Sequence, residues 1–244
     1  MHHTIIRNRH FIFRIQILIL CLLLSSSLKV NAQYSIREHD DQNMSRKFHF
    51  GVALGYNKSD YKITLDSNFI VQKNILNVQP IKGPGFNLGI VTDYHIGRYF
   101  DLRLIPALSF GEKNIKYTQK DSTLPVFKKI ESVYLEFPFL LKYKSKPYKN
   151  SRMYVISGFK YSIDMQSNAT ARRAENLIKV KKDDYLFEYG IGIELHMPMA
   201  IIAPEIKISY GLTNVLQNDD VLIYSSVLSR LRTRTILFTI HLEG

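Results

Sequence analysis

Residues 132–143 read SVYLEFPFLLKY. Val133, Leu135, Phe137, Phe139, Leu141 and Tyr143 recur with a period of two, which is the spacing of one face of a β-strand. The other face carries Tyr134, Glu136, Pro138, Leu140 and Lys142. One side of this strand therefore needs an apolar neighbour, and the other must accommodate an acid and a base.

The same alternation recurs at 48–56, 86–95, 100–110, 155–164, 185–196, 202–211 and 235–242, which makes eight strands. The connections alternate as well: 57–85, 112–131, 166–183 and 213–231 are long, while 96–99, 144–150 and 197–199 are short. Long and short in turn is the pattern of an antiparallel meander closed into a barrel, with loops at one end and tight turns at the other. Alternation alone leaves open whether the apolar face looks outward to lipid or inward to a dry cavity, as in a lipocalin. The second face decides. It holds Gly51, Ala53, Gly55, Gly89, Gly158, Gly190, Gly192 and Gly211 among scattered charges. Small residues mixed with ions suit the crowded interior of an eight-stranded barrel. Aromatics near the strand ends, such as Phe48 with Tyr56 and Phe86 with Tyr94, fit two interfacial girdles. The expectation is an all-β, eight-stranded transmembrane barrel with long extracellular loops and short periplasmic turns.

The N-terminus supplies the route to such a membrane. Arg7, Arg9 and Arg14 precede an apolar run at 15–24, and Asn31-Ala32 precedes Gln33, so residues 1–32 read as a secretory signal peptide. Residues 33–47, rich in charge and poor in apolar side chains, read as a flexible periplasmic lead-in to a barrel spanning 48–244. The only cysteine, Cys21, lies in the leader. Leu22 follows it, and the small residues expected before a lipid-attachment cysteine are missing. A hydrophobic content of 45% with only one long apolar run excludes a bundle of membrane helices.

Asp93, Asp101, Arg103, Glu136, Lys142, Lys160, Asp164, Glu188, Glu194, Glu205 and Lys207 all fall on the inward face. Buried charges are normally paired, so these are expected to form a network that fills the lumen rather than an ion path. An eight-stranded barrel leaves no open channel, which argues against a porin. His49, His95, His196 and His241 also project inward, as do Ser109, Ser162 and Ser209, but no nucleophile–base–orienter trio follows from their spacing. Paired His or Cys spacing for a metal is missing too. No catalytic residue, metal or cofactor is expected. The loops lean basic, with Arg172, Arg173, Lys179, Lys181 and Lys182 in one and Lys113, Lys116, Lys120, Lys128 and Lys129 in another. These are either a solvated surface or contacts to lipopolysaccharide phosphates or an acidic surface partner. Nucleic acid is excluded as a partner for an exported barrel without a recognition motif.

The stretch YLEFPFLLKY at 134–143 resembles a strand found in the outer-membrane barrels of Bacteroidetes, and the Asn31-Ala32-Gln33 leader end fits the same group. The length, the eight-strand layout and the run Glu188-Tyr189-Gly190-Ile191-Gly192-Ile193-Glu194 resemble the members that serve the type IX secretion system. The resemblance covers Phe48 to the C-terminus, and its specific part is the fourth strand, whose motif marks the barrel family rather than one function. It implies a non-enzymatic component needed for export, maturation and surface attachment of proteins with a C-terminal sorting domain, secreted proteases among them. It also implies other secretion or attachment components as partners, beside the outer-membrane lipid. The chain departs from barrel insertion signals by ending Ile240-His241-Leu242-Glu243-Gly244, where a terminal aromatic is usual. The rival reading is a structural or adhesive barrel whose stiff loops bind surfaces.

Overall fold

The computed structural model describes residues 47–66, 75–120, 124–167, 179–217 and 227–244. The leader at 1–32 and residues 33–46 of the lead-in lie outside them. Nine strands follow in chain order: β1 (Phe48–Leu65), β2 (Ile75–His95), β3 (Phe100–Leu104), β4 (Ala107–Gln119), β5 (Val126–Lys144), β6 (Ser151–Asp164), β7 (Asp183–His196), β8 (Ile201–Gly211) and β9 (Leu228–Glu243). All pairings are antiparallel, and β1 pairs with both β2 and β9, which closes the sheet.

β3 and β4 occupy one position in the ring, so the barrel is eight-stranded. Pro106 has no N–H, and the ladder lapses across Ile105 and Pro106. The register is the same on both sides of the gap, with Arg103 opposite Asp93 and Ala107 opposite Gly89. The Pro106 carbonyl still accepts the Ile90 amide at 3.0 Å.

From Phe48, partners lead round the ring through Tyr94, Leu102, Leu141, Ser157, Tyr189, Ile208 and Ile236 to Lys58, a stagger of ten residues. In an eight-stranded ring such a stagger tilts the strands by about 40°. Because it is even, inward residues meet inward residues all the way round, and the two faces stay distinct.

The outer face is the apolar one. Phe50, Leu54, Ile90, Phe139, Phe159, Ile191 and Phe238 stand with 53–62% of their surface exposed. This continuous belt far exceeds the apolar patches of a soluble monomer. Aromatic pairs mark its edges. Phe48 with Tyr94 and Phe100 with Tyr143, each at 5.0 Å, lie at the end with the short turns. Phe86 with Phe110 at 4.5 Å and Tyr161 with Tyr185 at 5.0 Å lie at the other.

Five strands run well past the ends marked by the apolar alternation. β1 continues to Leu65, β2 begins at Ile75, β4 continues to Gln119, β5 begins at Val126 and β9 begins at Leu228. Most of the described part of 57–85 and 112–131, expected as loop, is paired sheet. Beyond the belt the outer face meets water, so Lys58, Lys62, Lys82 and Lys129 replace Leu and Phe while backbone pairing goes on. Inside this extension Tyr61, Ile115, Tyr117 and Leu231 meet Val180, Val215, Leu216 and Val227 in a buried apolar cluster. Asn214 fastens the incoming segment, its Oδ1 accepting the Leu216 and Leu231 amides at 3.2 and 2.9 Å.

Candidate functional site

Strand tilt and stagger stack the inward side chains into levels. At the short-turn end, Asp101 accepts His95 Nδ1 at 2.5 Å and meets Lys144 Nζ at 2.6 Å, while the His49 ring lies 4.7 Å from that of His95. Arg152 is turned to the backbone, donating to the carbonyls of Ser145 at 2.8 Å and Arg98 at 2.5 Å.

The middle level is built on Arg103, whose side chain is fully buried. Its Nε and Nη2 donate to the two oxygens of Asp93 at 2.7 and 2.6 Å, the two-pronged geometry in which guanidinium and carboxylate bind best. Nη2 also reaches Glu243 at 2.5 Å, and Nη1 reaches Glu205 at 3.4 Å. Lys142 bridges Asp93, at 3.1 Å, and Glu194. Both cations lie over the Tyr154 ring, Lys142 at 4.6 Å and Arg103 at 5.6 Å, and the Tyr154 hydroxyl donates to Glu205 at 2.9 Å. Glu205 is flanked by Lys207 at 3.2 Å and His241 at 3.1 Å, contacts of charge and proximity rather than aligned hydrogen bonds. Gly192 makes room for this level: a Cβ there would run into the Tyr154 ring.

The third level centres on Lys160, which pairs with Glu188 at 2.8 Å and Glu136 at 3.2 Å. Ser209 donates to Glu188 at 2.5 Å, and Asn87 donates to Glu136 at 3.3 Å. Asn57 continues the chain, donating to Asn87 at 2.5 Å and Ser109 at 3.4 Å. Above it, Asp164 accepts the Ser132 hydroxyl and the Gln166 amide, both at 2.9 Å, instead of joining the cations. Lys113 donates to the Tyr134 hydroxyl at 2.8 Å and lies over the Tyr134 ring at 4.1 Å. The apolar cluster closes the barrel beyond that.

The inward acids and bases thus fall into separate clusters. Glu136 and Lys142, neighbours on one strand face, belong to different levels. Among the members that escaped sequence reasoning are Glu243, Lys144, Tyr154 and Asn57. Two were open to discovery by parity alone, since Lys144 follows Lys142 by two and Glu243 follows His241 by two. Of the basic loop residues, Arg172 and Arg173 lie outside the described residues. Lys179, Lys181 and Lys182 edge the outer mouth, where the Lys181 amide donates to Val215 and the Lys182 carbonyl accepts from Asp164.

The lumen opens at the short-turn end. A cavity of about 330 Å³ there is lined by Lys47, His49, His95, Arg152, Glu194 and Glu243, among others. Lys142 and Asp93 belong to its walls, and Arg103 packs against them.

Residues 31–217 match the family model for the outer membrane protein beta-barrel domain. No curated protein matches the chain. Among solved structures, the outer membrane protein OprG of Pseudomonas aeruginosa is 12% identical, with 80% of this chain and 92% of that one covered and a TM-score of 0.45. The attachment invasion locus protein Ail of Yersinia pestis, solved with the heparin analogue sucrose octasulfate, is also 12% identical. There the coverage is 82% of this chain and 100% of that one, and the TM-score is 0.37.

Proposed function

The chain belongs to the outer-membrane β-barrel family, and from that premise we propose that it is a non-enzymatic component of the type IX secretion system of the PorT kind. Its role is accessory: it supports export, maturation and surface attachment of proteases and other cargo with a C-terminal sorting domain. The observation that carries the accessory role is the filled bore. Three ionic levels and an apolar cluster occupy the lumen, so cargo must cross elsewhere while this barrel docks onto larger components. The run Glu188–Glu194, with the length and the eight-strand layout, supports the choice of system. Short turns and both ends of the described barrel are taken to face the periplasm, as is general for bacterial barrels.

Deleting the gene should leave secreted proteases unprocessed in the periplasm, and re-expression should restore them at the surface. Normal surface proteases in the deletion strain would refute the proposal. A second reading, an OmpX-like structural or adhesive barrel, is favoured by the outer ends of β1, β2, β4 and β5, which stand beyond the apolar belt. Shortening those hairpins separates the two: lost adhesion with intact secretion selects the second.

A further inference from the structure

We propose that the outward face of β9, β1 and β2, just beyond the apolar belt, is a binding site for the phosphate groups of an outer-leaflet glycolipid such as lipopolysaccharide. The proposal takes its orientation from the preceding reading but not its secretion role.

Tyr56 and Phe86 are cross-strand partners that end the belt on β1 and β2, and on β9 it ends at Ile236, just past their neighbour Phe238. Beyond them the outward positions turn basic. Lys58 and Lys62 follow on β1, and Arg234, Arg232 and Arg230 on β9, all facing out, while Lys82 of β2, past a bulge, is exposed. At the axial rise of a tilted strand, Lys58 to Lys62 stand roughly 5–15 Å above the aromatics. That is headgroup depth, and long basic side chains reach back down to it.

Their pairing is what calls for a ligand. Arg232 sits directly opposite Lys62 on the neighbouring strand. Like charges in that position destabilise a sheet. Asp60, the acid between Lys58 and Lys62 on this face of β1, is taken by Arg234 in a two-pronged pair at 2.6 and 2.8 Å. Lys58, Lys62, Lys82, Arg230 and Arg232 have no acid partner among the described residues. On the β4–β5 face, by contrast, Lys129 is neutralised by Glu112 at 2.9 Å and Glu131 at 2.5 Å. The uncompensated charge of this face thus forms a band beginning just above the belt. Several phosphates on one lipid, set in the headgroup layer, match it, and arginine binds each in forked fashion.

The test uses the full-length barrel purified in mild detergent, with bound lipid read by native mass spectrometry and affinity measured in nanodiscs. Nanodiscs contain bisphosphorylated lipid A, its dephosphorylated form, or phosphatidylglycerol. Lipid A should bind best. K58Q/K62Q/R232Q should lose on the order of a hundredfold in affinity, from about fivefold for each charge removed. K146Q/K149Q, on a short turn at the other end, should match the native chain. Equal binding of dephosphorylated lipid A or of phosphatidylglycerol overturns the proposal, as does a triple variant of unchanged affinity. Displacement by millimolar inorganic phosphate would assign the site to free anions and overturn the lipid. The lipid comparison on the unaltered protein stands even if the variant fails to fold.

Discussion

Arg103 is reached by carboxylates from three strands, Asp93 of β2, Glu205 of β8 and Glu243 of β9. Removing it strips three buried acids of the cation they share, so Arg103→Gln should destabilise the barrel by about 3–5 kcal/mol. Arg103→Lys should recover little, because one ammonium cannot span positions held by a planar fork. Urea unfolding in lipid vesicles, followed by tyrosine fluorescence in this tryptophan-free chain, measures both. Native-like midpoints for Arg103→Gln would show that the network is not what holds the lumen. Which ions pair was not legible from residue order. Parity places Glu136 and Lys142 on the same face, but height in the bore depends on tilt and stagger, which only closure of the ring sets. Glu136 therefore meets Lys160, and Lys142 meets Asp93 and Glu194. Double-mutant cycles should accordingly give a coupling of about 0.5–3 kcal/mol for Glu136 with Lys160, and additivity within about 0.5 kcal/mol for Glu136 with Lys142. The reverse result would contradict the pairing.

A strand in this barrel crosses two environments, and its sequence changes rule between them. Within the belt, β5 alternates Leu135, Phe137, Phe139 and Leu141 outward against Glu136, Leu140 and Lys142 inward, and this stretch was legible at once. Past the belt the same strand reads Val126-Phe127-Lys128-Lys129-Ile130-Glu131, where period two fades because the outer face now needs water. The inner face there becomes apolar, as Tyr61 and Tyr117 show by joining the outer cluster. Alternation of hydrophobicity reports the solvent outside the strand as much as the strand itself, so the sheet was read as ending with the lipid. The contrast can be measured with one residue type. Phe139→Arg lies within the belt and should cost about 2–4 kcal/mol in vesicle unfolding, whereas Phe127→Arg, near the outer end, should cost about 0–1 kcal/mol. Equal costs at the two positions would place the belt wrongly.

Taken as one body, the barrel inverts the layering of a soluble protein where it crosses the membrane. Apolar side chains face out, and acids and bases share the centre with a small buried apolar cluster that includes Val91, Ile105, Leu140 and Ile156; beyond the belt a larger dry core takes over. Each half closes the bore by different physics, the ionic levels by pairing and the outer cluster by packing. No stable current is therefore expected across planar bilayers from the native chain. Leu216→Asp with Leu231→Asp, which breaks the outer cluster, should leave the bilayer silent because the Arg103 and Lys160 levels remain. A sustained conductance in that variant would mean that the cluster alone seals the lumen. Orientation is testable on the same scale. The chain's one cysteine, Cys21, lies in the expected leader, so single cysteines can be placed against a blank background. Lys120, at the end of β4, is at the extended end of the barrel, and Lys146 is on the short turn after β5; both are exposed. In intact cells an impermeant maleimide should label Lys120→Cys, and label Lys146→Cys only after the outer membrane is breached. Labelling in the opposite order would turn the molecule over, moving the basic face of β9, β1 and β2 to the inner leaflet and the short-turn cavity to the cell surface.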